Sequence, residues 1–187
     1  GNLLGTGQSG HVASVGYDLY CQLVNEEVSA LKGEPMQSLQ EISIELPVAA
    51  QIPHRYISKE DLRLEAYRRL AICKSLEDVN EIQSEWIDRF GAIPFAAKNL
   101  LSVAKLRCEA RKLGIVEIAG RTLANTGESQ WLAKVSPISL RPSEIVRVKR
   151  LYPGSVFKDE LEELQIVLNH SETPIEDLVG YLQQLNS

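Results

Sequence analysis

Apolar side chains recur at helical spacing near the start of the chain, at Tyr17, Tyr20, Leu23, Val24, Val28 and Leu31, and Gly33 closes that helix. Residues 34–41 include Pro35 and several polar side chains and read as a linker. The period then changes. Ile42, Ile44, Leu46 and Val48 alternate with Ser43, Glu45 and Pro47, the pattern of a half-buried strand. Pro47 has no amide hydrogen to donate, so the strand is expected to end there or to lie at a sheet edge. Three helices are predicted next. The first opens at Ser58-Lys59-Glu60-Asp61 and turns Leu62, Ala66, Tyr67 and Leu70 inward. The second opens at Ser75-Leu76-Glu77-Asp78, an acidic cap, and aligns Val79, Ile82, Trp86 and Phe90 before Gly91. The third has Pro94 near its first turn, carries Ala97, Leu101, Ala104 and Cys108, and stops at Gly114.

Beyond Gly114 the elements shorten. Ile115 to Ala119, Thr122 to Asn125 and Trp131 to Val135 read as strands, with a turn at Asn125-Thr126-Gly127. Pro142 to Leu151 reads as a helix ended by Tyr152-Pro153-Gly154, and Val156 to Lys158 pairs with Leu164 to Leu168. Thr173-Pro174 starts a last helix with Ile175, Leu178, Tyr181, Leu182 and Leu185. This order predicts an α+β fold, with helices packed on a small mixed or antiparallel sheet and an N-terminal glycine-rich arm and helix. Three parts follow: 1–33, the linker 34–41, and a domain over 42–187.

Composition narrows the classes. With 187 residues and 44% hydrophobic content, the chain can bury one substantial core. A net charge of −5 argues against a freestanding nucleic-acid binder. No apolar run approaches the roughly 18 to 20 residues that span a bilayer. Cys21, Cys73 and Cys108 are odd in number and form no CxxC pair, which favours reduced thiols. His11, His54 and His170 never stand at ligand spacing from a cysteine or each other, so no metal site is expected.

Candidate chemistry is sparse. Gly1, Gly5, Gly7 and Gly10 make a glycine-rich start without the lysine of a phosphate-binding loop. Such a loop is expected to meet partners in a longer parent, of which this chain is a fragment. Gln8-Ser9-Gly10-His11 places Ser beside His, yet no oxyanion donor or acidic orienter accompanies them, so no catalytic residue is expected. An independent small enzyme is disfavoured on the same ground.

The stretch Gly1 to Tyr20 resembles the end of the translocation motif shared by bacterial RecG-like proteins and the transcription-repair coupling factors (the Mfd family). The continuation is similar to the coupling factors. The matching stretches are Gly16–Val28, Ile42–Ile57, Arg63–Ala71, Asp88–Arg107 and Lys112–Ile115. The resemblance implies a bacterial, cytoplasmic parent that uses ATP and Mg to translocate on double-stranded DNA, displaces stalled RNA polymerase and recruits the excision-repair protein UvrA. It implies that this part is a noncatalytic regulatory domain with no cofactor of its own and no membrane contact. That domain would pack on an N-terminal UvrB-like module of the same parent and mask its UvrA-binding surface. The alternative is a DNA- or polymerase-contacting accessory module of a RecG-like helicase. Gly5, Gln8, Ser9 and Gly10 match the translocation motif. The Gln8 amide can donate and accept, suiting it to relay nucleotide state or touch a phosphate; the motif's arginine is expected before Gly1.

On the second predicted helix, Glu81, Glu85 and Asp88 follow i, i+4, i+7 spacing opposite the apolar side. The bland reading is a solvated face. The resemblance, which calls for a surface that docks on a basic module, makes them candidates for an interdomain interface. Arg89 interrupts the acidity and can pair back with Glu85. Arg68 and Arg69 are expected to pair with Glu65 or Glu60, and Arg147, Lys149 and Arg150 form a small basic cluster. Trp86 and Trp131 are expected in the core.

Overall fold

Ile42, Ile44 and Leu46 are sealed from solvent, whereas Ser43 and Glu45 between them are exposed. This alternation makes β1 (Ser43–Glu45) a strand with one face in the core. The structure is a computed structural model that describes Leu31 and residues 42–125, 128–169 and 173–187. Leu31 is helical. Otherwise the expected N-terminal helix, the linker and the glycine loop with Gly5, Gln8, Ser9 and Gly10 lie outside the described residues, as do Cys21, His11 and His170.

β1 runs parallel beside β2 (Glu117–Asn125), with Ser43 opposite Glu117 and Glu45 opposite Ala119. β2 continues antiparallel into β3 (Glu128–Ser136), and Asn125 pairs with Glu128; the turn expected between them falls on residues 126–127, outside the described ones. Two more strands, β4 (Val156–Lys158) and β5 (Glu163–Asn169), complete a mixed sheet in the order β1-β2-β3-β5-β4. β1 is therefore an edge strand among the described ones, in keeping with Pro47 two residues after its end.

A parallel neighbour needs a crossover connection. Here three helices supply it: α1 (Glu60–Ala71), α2 (Leu76–Phe90) and α3 (Phe95–Lys112). Two further helices follow, α4 (Pro142–Leu151) and α5 (Pro174–Asn186). Ile44, Ile118, Val135 and Leu164 share one face of the sheet and are buried. They join a single core with Leu100 and Ala104 of α3 and with Leu178 and Leu182 of α5. On the other face Glu45, Glu117, Arg121 and Lys134 are exposed. The fold is thus α+β, a helical layer on one side of a five-stranded mixed sheet.

One expectation is corrected. Ile115 to Ala119 and Thr122 to Asn125 are not two strands; Gly120 and Arg121 continue the ladder within β2. Gly120 marks a close approach instead of a break. A Cβ there would stand 2.8 Å from Leu46 Cδ2, so the leucine that follows β1 occupies the space a side chain would need.

α3 is buried on nearly all sides, and both ends of α5 are bonded to it. Ser102 Oγ donates to Glu176, and Asn186 Nδ2 donates to the Glu109 carbonyl at 3.1 Å and carboxylate at 2.6 Å. Glu109 is 1% exposed, and a carboxylate so placed requires such donors; Lys112 Nζ is a further one at 3.2 Å.

Candidate functional site

The expected interface residues all lie on α2. Its start is fixed locally: Ser75 Oγ accepts from the Asp78 amide at 3.2 Å, and the Asp78 carboxylate accepts from the Lys74 amide at 3.0 Å. These are reciprocal bonds of the capping-box kind. The Lys74 amide is the main reason that the Asp78 carboxyl sits below its ordinary pKa. Val79, Ile82 and Trp86 are buried and anchor the inner side. At the far end Gly91 takes a positive φ of 86°, and Tyr56 Oη donates to the carbonyls of Trp86 (3.1 Å) and Gly91 (2.9 Å). The Tyr56 ring meets Trp86 and Phe90 edge-on. Both ends of α2 are held, so its outer side is presented on a rigid support.

That outer side carries Glu77, Asn80, Glu81, Ser84, Ile87 and Asp88, all exposed. Glu81 and Asp88 form no ion pair with a described residue. Glu85 differs. Its carboxylate accepts from Arg69 Nη1 of α1 through Oε2 and from Arg89 Nη1 at 3.1 Å through Oε1. Arg69 is the main cause, and Arg89 a second, of a Glu85 pKa below the ordinary carboxylate range. The Arg89 guanidinium also stacks 5.0 Å from the Phe90 ring centroid. Two cations therefore flank one anion at Glu85, and the net negative stripe consists of Glu77, Glu81 and Asp88.

The back-pairing of Arg89 with Glu85 is present as the spacing suggests. Arg68 reaches Glu65 at 3.6 Å, but Arg69 leaves its own helix for Glu85, a pairing that no local spacing announces. Tyr56 is a second contributor absent from the sequence reading, because its role depends on a fold that brings residue 56 to the end of α2. Trp86 and Trp131 are both buried. Of the basic cluster, Arg147 donates to Gln184 at 3.0 Å, and Lys149 and Arg150 are exposed. Among the described residues no group of three or more His, Cys, Asp or Glu side chains could hold a metal ion, and no helix is long and apolar enough to cross a membrane.

Residues 46–136, which include α2, match the model of the TRCF domain. The chain is 39% identical over 177 residues to the transcription-repair-coupling factor of Mycobacterium bovis, covering 89% of this chain and 14% of that protein. It is 38% identical over 125 residues to the Escherichia coli factor, covering 64% of this chain and 11% of that protein. The fold is similar to a crystal structure of the C-terminal domain of a transcription-repair coupling factor, at a TM-score of 0.56 and 16% identity, covering 76% of this chain and 92% of that one. The chain spans about one seventh of the length of its mycobacterial relative. The domain match and the identity shared along most of its length establish that the chain belongs to the transcription-repair-coupling factor family.

Proposed function

We propose that this domain is a noncatalytic regulator that docks through the outer side of α2 onto a basic, UvrB-like module of its parent chain and masks that module's UvrA-binding surface. The observation that carries this reading is the exposed acidic stripe of Glu77, Glu81 and Asp88, without an ion pair among the described residues, on a helix fixed at both ends. Exposed like charges on a rigid element steer a partner of opposite sign and discriminate against others. Glu85 contributes by holding Arg69 and Arg89 in place beside that stripe. In this reading the parent supplies the DNA translocation, the ATP and Mg, and the encounter with RNA polymerase; no described residue is assigned to them. The glycine arm with Gly5, Gln8, Ser9 and Gly10 belongs functionally to that motor.

The test is charge reversal in the full-length parent. Glu81→Lys with Asp88→Lys leaves the Arg69–Glu85–Arg89 pairs intact and should spare the fold, since exposed substitutions usually shift stability by about 0.5 kcal/mol or less. UvrA affinity should rise. A stably folded double variant with parental UvrA affinity would overturn the reading. A second reading, an accessory module that contacts DNA or polymerase, draws its support from exposed Lys149 and Arg150 on α4. It expects Lys149→Glu with Arg150→Glu, not the α2 variant, to change the parent's behaviour.

A further inference from the structure

Two large apolar side chains stand in solvent at the C-terminal end of α2 and directly after it. Ile87, in the last turn of α2 and next in sequence to Asp88, is 49% exposed. Phe95, the first residue of α3 beyond the loop from Gly91 to Pro94, is 75% exposed. Neither serves the core: α2 buries Val79, Ile82 and Trp86, and the loop buries Ile93. An isolated exposed aliphatic residue is ordinary, but an aromatic this bare, one four-residue loop on from a helix with an exposed acidic side, gives the chain segment the composition of a binding patch.

We propose that Ile87 and Phe95 are the apolar anchors of the docking surface, and that the occupant is a protein surface with an apolar pocket rimmed by cations. The inference rests on the docking reading above and adds the division of labour within it. Charge complementarity selects the rim. Among the described residues Glu77, Glu81 and Asp88 have no cation of their own, whereas Arg69 and Arg89 are engaged with Glu85. Rim charges mainly set the association rate and its salt dependence, and desolvated apolar anchors mainly set how long a contact lasts. A polyanion such as nucleic acid is disfavoured at this patch by the same carboxylates.

The experiment uses the full-length parent with UvrA as the probe. Ile87→Gln with Phe95→Gln is compared with Glu81→Lys with Asp88→Lys, at low and high ionic strength (about 0.05 and 0.5 M). Gln preserves helix propensity, and a parental thermal midpoint checks that the domain stays folded. The apolar variant should raise UvrA affinity about tenfold or more at both ionic strengths, the fold-change expected from loss of hot-spot side chains. The gain from the charge variant should shrink in high salt. Release by the charge variant alone would overturn the anchor assignment and leave the docking reading standing. Parental affinity in both folded variants would overturn both. Phe95→Gln alone, at the more exposed position, gives the same decision if the double variant loses stability.

Discussion

Arg69 of α1 and Glu85 of α2 form a hydrogen-bonded ion pair between two helices, sixteen positions apart in the chain. Arg89 takes the second oxygen of the same carboxylate. Partly exposed pairs are each worth about 0.2–1 kcal/mol, and a shared carboxylate brings two of them together. Glu85→Gln should therefore destabilise the domain by about 1 kcal/mol. A double-mutant cycle with Arg69→Gln should return a coupling of about 0.5–1 kcal/mol by urea denaturation. A coupling of zero would mean that the pair forms without holding α1 to α2.

Acid should weaken the domain through α2. Asp78 and Glu85 both have folded-state pKa values below their ordinary 3.8 and 4.5, held down chiefly by the Lys74 amide and by Arg69. The unfolded chain then binds more protons than the folded one in this range, so stability rises with pH. The contribution is complete above about pH 5.5 and is lost as pH falls through 4.5 and below the depressed values. Thermal unfolding followed from pH 7 to 3 should show this loss, and Glu85→Gln should flatten the curve.

At Gly120 the expected change is steric. Gly120→Ala puts a methyl group 2.8 Å from the Cδ2 of Leu46, which is buried. The tip of a leucine can move, so the cost should stay near 1 kcal/mol, the low end of overpacking. Leu46→Val in the same chain should recover part of it. Additive losses in denaturant titrations would show that the clash is relieved elsewhere.

The α3–α5 clamp gives a polar counterpart. Asn186→Ala removes a donor from Glu109, which is almost fully buried, and leaves Lys112 as its ion-pair partner. The loss should be about 1–3 kcal/mol, as for a buried polar group deprived of a partner. Hydrogen exchange should localise the loosening to α5. Uniform loosening across β1 to β3 would contradict that assignment.

What could be read in the sequence was what local chemistry determines. Ser75 and Asp78 announce the start of α2, Gly91 its end, and the spacing of Val79, Ile82 and Trp86 its buried side. Pro142, Tyr152-Pro153-Gly154 and Pro174 bound α4 and the start of α5 in the same way. What escaped was decided by contacts between distant parts. Gly120 looked like a break because its neighbour in space, Leu46, is remote in sequence. For Glu85 the spacing announced Arg89 but not its second partner, Arg69, which sits on another helix. The bareness of Phe95 was hidden too, since an aromatic at the start of a helix buried on nearly all sides is ordinarily taken as core.

The β1–β2 pairing has a kinetic consequence. Ser43 finds Glu117 only after the chain has run through three helices, so this ladder closes the longest loop among the described strands. Non-local pairing is slow because its entropy is spent before its contacts form. The β2–β3 hairpin can assemble from near neighbours, whereas β1 on β2, like α5 on α3, is joined across more than seventy positions and is expected to dock late. Leu46, seated against Gly120, is then the latch that registers this late strand. Slow-phase amplitude in refolding should accordingly respond to substitutions at Leu46 and Gly120 and stay indifferent to those at α4.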